Sequence, residues 1–276
     1  MIRLLGVLAL IFCLMPVALA AAAAKDDTDF AGAVPGLAGK TWVDVLSQIF
    51  PDIAATDRGY ASATEVIDLR SIGPGDDSWV KCGDKIEFVD RDARPVRLSG
   101  RDFVIVTLTI EDECVGPIAL FDASGTLVDA VNIRGDQHVS FAGDYVRPLG
   151  PDGALVIASL WHDNSSQSYD ITSLVLARSD GFSSIGGLLA FGSRDCRSQF
   201  IEGAKIDPAL GTGPMLRIDA AVTRRTQRLA ADCETKIGPE AVTTFNGYWR
   251  WNAKQGAYEA HTRELDLLDK WNEKHF

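Results

Sequence analysis

The segment from Leu160 to Asp170, LWHDNSSQSYD, brings a histidine, acids, amides and serines together over a short stretch of chain. His162 and Asp163 could act with one of these serines in hydrolysis, so they are the first catalytic candidates. Neighbouring residues in a strand project to opposite faces, however, and the sequence contains no G-x-S-x-G turn. The composition of the segment is therefore more typical of a polar connection between two strands. It favours a binding protein over an enzyme.

Hard oxygen ligands for calcium occur in the same segment, at Asp163, Asn164 and Asp170. The D-x-D-x-D-G order of a calcium loop is absent, since DRDARP at residues 90–95 begins this order and then continues with arginine and proline. A calcium-stabilised structural module is therefore one alternative function. No other cofactor is expected.

Carboxylate pairs support a second alternative, an extracytoplasmic hydrolase of a glycan or an ester. Glycoside hydrolysis uses two carboxyl groups on either side of the sugar. Asp112 with Asp163, or Glu111 with Glu113, could supply such a pair. In a chain with 38 acidic residues, exposed surface carboxylates are the more common outcome.

The start of the chain has the three-part layout of a secretory signal peptide, predicted over residues 1–24. A basic Arg3 precedes an apolar run, and small residues follow it. Cleavage would deliver the protein to the periplasm or the exterior, with no stable membrane insertion afterwards. Residues 25–40 are small and polar and predict a flexible linker. Residues 41–276 predict a single β-rich domain with flanking helices.

The charge of the chain narrows the class of partner. The formal net charge is −11, and no basic stripe is present to neutralise phosphates. We therefore expect no nucleic-acid partner. An unidentified protein or carbohydrate ligand fits the composition better.

Two amphipathic segments predict the flanking helices. In TWVDVLSQIFP, Thr41 and Asp44 form a capping pattern, and apolar residues recur at helical spacing from Trp42 to Phe50. Near the other end of the chain, Thr262 is a predicted cap for a closing helix. Both apolar stripes are expected to pack on the body of the protein.

Between these helices, four units share one pattern of a strand, a variable loop and a hairpin. They begin at Val66, Phe103, Ala154 and Met215, and their predicted hairpin turns are DRDA, DASG, RSDG and NAKQG. The pattern predicts a mainly β fold with degenerate, propeller-like repeats. A β-sandwich is the alternative, because the same strands would suit two packed sheets.

The cysteines follow the same repeat. Four of them lie outside the predicted signal peptide, namely Cys82, Cys114, Cys196 and Cys233. An even number in an exported chain predicts two disulfides, and corresponding loops of neighbouring units favour Cys82–Cys114 and Cys196–Cys233. We therefore predict an exported, disulfide-stabilised β-repeat protein that acts as a binding or interaction module through its inter-strand loops.

Overall fold

The computed structural model describes residues 30–55, 61–72, 84–111, 115–133, 138–141, 143–163, 167–196, 198–208 and 215–274. The predicted signal peptide lies outside these ranges. Within them the chain forms two helices and sixteen strands. The helices are α1 (Trp42–Leu46) and α2 (Arg263–Asn272). The strands are β1 (Ala54–Ala55), β2 (Ala61–Ala63), β3 (Arg70–Ser71), β4 (Ile86–Leu98), β5 (Arg101–Ile110), β6 (Pro117–Asp122), β7 (Leu127–Asn132), β8 (His138–Ser140), β9 (Val146–Gly150), β10 (Gly153–Asp163), β11 (Gln167–Arg178), β12 (Gly181–Arg194), β13 (Ser198–Pro208), β14 (Ile218–Leu229), β15 (Lys236–Asn252) and β16 (Ala257–His261).

These strands form two sheets, which confirms a mainly β fold. The first has the order β1-β2-β4-β5-β6-β7-β3, and the second has the order β16-β15-β14-β13-β12-β11-β10-β8, with β9 on β10. From β10 to β16 the second sheet is an antiparallel meander. In the described parts of the chain the strands do not close into a ring of blades. The four-unit, propeller-like arrangement therefore stays a prediction.

Three of the predicted hairpin turns are confirmed. DASG joins β6 to β7, RSDG joins β11 to β12, and NAKQG joins β15 to β16. The fourth prediction, DRDA at residues 90–93, is wrong, because β4 runs through it without turning. The chain turns instead at Ser99 and Gly100, where φ is positive at both residues (49° and 76°). Glycine adopts such angles readily, and no comparable angle occurs at residues 90–93.

An apolar layer lies between the two sheets. Ile105 and Leu120 of the first sheet meet Val156 and Val175 of the second, and each is at most 1% exposed. Burying such a side chain contributes about 1.5–3 kcal/mol. The two sheets therefore pack face to face and are held by this layer.

The other face of the first sheet is covered by α1 and the chain around it. Thr41 and Asp44 form the predicted capping box, and Trp42 to Phe50 supply the predicted buried stripe, although the helix itself ends at Leu46. Phe30, Val34 and Leu37 are also buried in this core. From Phe30 onward, the segment predicted as a flexible linker over residues 25–40 is therefore packed chain, because its apolar side chains cover the sheet.

The beginnings of β5 and β10 lie side by side. The backbone N–H of Ser99 donates to the carbonyl of Pro151 at 2.8 Å, and the Ser99 hydroxyl donates to Asp152 at 3.1 Å. Because β5 and β10 leave this point and have similar lengths, both finish at the opposite end of the packed sheets, at Ile110 and Asp163. We call this the loop end, after the predicted inter-strand loops that follow the two strands in the sequence.

Helix α2 is fixed to the second sheet by a buried ion pair. The side chain of Glu202 is 0% exposed and accepts a hydrogen bond from Arg224 Nε at 2.6 Å. Asn272 on α2 donates to Glu202 at 2.9 Å and accepts from Arg224 at 2.8 Å. The Trp271 ring centroid lies 3.8 Å from the guanidinium. We call Glu202, Arg224, Trp271 and Asn272 the helix anchor.

Thr262 is the N-cap residue of α2, as predicted, but its side chain does not cap the helix. Thr262 makes no side-chain hydrogen bond to the helix backbone. Its hydroxyl donates to the Asp266 carboxylate at 2.9 Å instead. Leu265 and Leu268 are buried against the sheet, as the apolar spacing predicts.

Asp269 makes the stability of this region depend on pH. Burial, followed by the nearby charges of Asp266, Glu202 and Glu273, raises the pKa of Asp269 from 3.8 to about 6. Between pH 3.8 and about 6, Asp269 is therefore protonated in the folded state and ionised in the unfolded state. The free energy of unfolding falls as pH rises through this range, because the unfolded state releases the proton first. We expect D269N to raise the free energy of unfolding by about 1–2 kcal/mol at pH 7.5, with the gain vanishing near pH 4.

Urea titrations at the two pH values would measure this effect. The exposed Asp266 supplies the comparison: D266N removes only one neighbouring charge and leaves Asp269 buried, so it is expected to give a smaller pH-dependent gain. An equal effect of D269N at both pH values would contradict the assigned titration.

Candidate functional site

The structure places the two catalytic candidates at the end of β10. His162 is opposite Tyr169 in the register, and the two rings stack with centroids 5.2 Å apart and an interplanar angle of 4°. Asp163 is opposite Ser168. Because consecutive strand residues project to opposite faces, His162 and Asp163 do not share a face of the sheet.

The predicted calcium ligands are only partly brought together. Asp163 and Asp170 lie on one face of the sheet, on neighbouring strands but not directly opposite each other. The Ser159 hydroxyl contacts Asp170 at 3.5 Å, and burial raises the pKa of the Asp170 carboxyl. Asn164 lies outside the described residues. Within the described ranges, no three His, Cys, Asp or Glu side chains gather as metal ligands, and calcium binding stays a prediction.

One of the two predicted disulfides is present. Cys196 follows β12 and is bonded to Cys233, which follows β14, 37 residues further along the chain. Arg194 donates to the Cys233 carbonyl at 2.8 Å in the same region. This pairing confirms the prediction for Cys196 and Cys233. Cys82 and Cys114 lie outside the described residues.

An open polar cleft lies between the sheets, toward the loop end, and has a volume of about 310 Å³. Its position follows from the strand register, since Asp92 of β4 is opposite Thr107 of β5, and Asp90 is opposite Thr109. The cleft is lined by Asp90, Arg91, Asp92, Arg94, Thr107, Thr109 and Phe141.

Tyr145 holds the floor of this cleft in place. Its hydroxyl donates to Asp92 at 3.2 Å and lies 3.1 Å from the Thr107 hydroxyl. Arg94 Nε donates to the same Asp92 oxygen at 2.7 Å, and the guanidinium lies 5.1 Å from the Tyr145 ring centroid. Burial raises the pKa of Tyr145 to about 12, so the phenol stays protonated as a donor at neutral pH. Asp92, Arg94 and Tyr145 are therefore fixed before any ligand arrives.

Other polar groups in the cleft are available to a ligand. One oxygen of Asp90 accepts from the Arg91 backbone N–H at 2.7 Å, and the other has no hydrogen-bond partner among the described residues. The Thr109 hydroxyl is likewise without a partner in the described part of the chain. The Arg91 guanidinium is turned away, 4.2 Å from the ring centroid of Phe30 on the far side of the sheet.

Sequence reasoning considered DRDARP as a hairpin turn and as an incomplete calcium loop, and it did not predict this cleft. A usable signal was present in the alternation of polar residues at Asp90, Asp92 and Arg94, which places all three on one face of a strand. The threonines and aromatic rings that complete the cleft come from distant parts of the chain.

Within the residues that the structure describes, neither helix has the length and apolar character needed to cross a membrane. Comparisons with models of protein families, with curated proteins and with solved structures found no match.

Proposed function

We propose that the protein is an exported, disulfide-stabilised β-repeat module that binds a protein or carbohydrate ligand at the loop end. The polar cleft is the observation that carries this proposal. It combines a fixed hydrogen-bonding floor with unpartnered polar groups, and placed polar groups of this kind fix the orientation of a bound ligand.

The position of the cleft supports the same conclusion. Residues 112–114 follow β5 and residues 164–166 follow β10, so both connections leave from the end toward which the cleft lies. A ligand in the cleft would therefore lie toward the same end of the sheets as Ile110 and Asp163, which precede these connections in the chain. Loops that a rigid sheet positions are common sites of recognition.

Two alternatives make separate predictions. An extracytoplasmic hydrolase would lose turnover on alanine substitution of His162 and Asp163 without a change in melting temperature. A calcium-stabilised module would melt at a lower temperature after chelation, because bound ligand stabilises the folded state.

A photoreactive amino acid at Asp163 tests the binding proposal directly. It is expected to cross-link a reproducible ligand in native envelope fractions, identified by mass spectrometry, because Asp163 is exposed at the loop end. The matched control is Asp180, which is 75% exposed in the turn at the opposite end of the same strands. Equal cross-linking at the two positions, or none at either, would contradict the proposal.

A further inference from the structure

The chemistry of the cleft narrows the class of ligand, in an inference that rests on the proposed function. We infer that the cleft binds a neutral saccharide through its hydroxyl groups. Asp90, Arg94 and Thr109 supply the polar contacts, and Phe141 supplies an apolar surface.

The charged groups at the cleft fit a neutral ligand better than an ionic one. Arg94 is already paired with Asp92, and the Arg91 guanidinium lies over Phe30, which leaves the Asp90 carboxylate as the uncompensated charge. An anion would face this carboxylate in a chain whose net charge is already −11. An ammonium group could pair with Asp90, but it is only a donor and would leave the Arg94 guanidinium without an acceptor from the ligand. A neutral polyol can accept from Arg94 and donate to Asp90.

The mixture of hydrogen-bonding groups also suits a sugar. A carboxylate accepts hydrogen bonds, a guanidinium donates them, and a threonine hydroxyl can do both. A sugar ring presents hydroxyls that can meet all three kinds of group at once. Asp90 and Thr109 are opposite each other on paired strands, so one ring could contact both.

Phe141 gives the cleft an aromatic wall. Its ring is half-buried and packs on Tyr145 with centroids 5.4 Å apart and a tilt of 54°. The apolar C–H face of a sugar can lie against such a ring while its hydroxyls reach the opposite wall. The volume of about 310 Å³ is near the lower end of the usual range for small-molecule sites, which suits a monosaccharide or the end of a glycan.

Nuclear magnetic resonance with the full mature chain tests this inference. The probes are methyl glucoside, methyl galactoside, methyl mannoside and N-acetylglucosamine, with spermidine and citrate as ionic counterparts. We expect at least one sugar to shift the amide signals of Thr107, Thr109 and Phe141 in a saturable manner. T109V is expected to weaken the binding of that sugar by about tenfold, because one hydrogen bond is lost without a change in the shape of the side chain.

Thr223 provides the matched control, since it is a half-buried strand threonine remote from the cleft, with its hydroxyl 3.3 Å from that of Thr244. T223V is expected to leave sugar affinity unchanged. Absence of any sugar-induced shift, or a saturable response at the cleft to spermidine or citrate alone, would overturn the inference. Cross-linking at Asp163 would still decide the proposed function separately, because it does not depend on the class of ligand.

Discussion

Alanine in place of Arg224 is expected to lower the free energy of unfolding by about 3–5 kcal/mol, because it leaves a buried carboxylate without its charge partner. The side chain of Glu202 is 0% exposed, and its other hydrogen bonds come from Asn272 and the backbone N–H of Phe191. Neither of these neutral donors replaces the positive charge. Equilibrium urea unfolding would measure the loss.

Packing against the arginine adds to the expected effect. The guanidinium is 3.8 Å from the Trp271 ring centroid and 5.0 Å from that of Phe200. Removing it therefore weakens the attachment of α2 to the second sheet. We expect the amides of α2 to exchange with solvent faster in R224A, which hydrogen exchange would detect.

The neighbouring arginine supplies the control for this prediction. Arg225 is 62% exposed and pairs with Glu240 at 3.3 Å, an exposed ion pair of the kind that contributes about 0–1 kcal/mol. R225A is therefore expected to change stability little. Replacing both Glu202 and Arg224 with methionine is expected to restore most of the loss, since no unpaired charge remains. Equal destabilisation by R224A and R225A would contradict the stabilising role assigned to the helix anchor.

Removing the Cys196–Cys233 disulfide is the second substitution with a large expected effect. The bridge closes a loop with a sequence separation of 37 residues. On the chain-entropy model, a loop of this size stabilises the fold by about 3–4 kcal/mol. Replacing both cysteines with alanine is therefore expected to lower the free energy of unfolding by that amount under non-reducing conditions.

The comparison needs the other cysteines in the same state in both proteins. Thiol titration and peptide mapping would establish that state for Cys82 and Cys114 before unfolding is measured. A reduction of less than about 1 kcal/mol would show that the chain-entropy mechanism does not apply to this bridge.

The features predictable from sequence are those that depend on local pattern. The capping box at Thr41 and Asp44, and the apolar stripe from Trp42 to Phe50, follow from helical spacing over a few residues. The turns DASG and RSDG follow from residues that tolerate tight hairpin angles.

The same local reasoning fails where tertiary contacts determine the outcome. The turn composition of DRDA is overridden in β4, where Asp92 pairs with Arg94 and accepts from buried Tyr145. Phe30 belongs to a segment of linker-like composition, but its ring is buried in the core on the face of the first sheet.

The cleft and the helix anchor are not visible in any local window. Glu202 meets Asn272 across 70 residues, and Asp92 meets Tyr145 across 53. A single sequence contains no periodicity that links positions so far apart. The cleft could therefore be assembled only from the fold.

Cross-linking from Asp163 in an Asp90→Ala background tests most directly whether the loop end binds its ligand through the cleft. We predict that the ligand captured from native envelope fractions by the otherwise unaltered protein is lost or strongly reduced in this background, while the melting temperature is unchanged. Undiminished capture of the same ligand would contradict binding through the cleft.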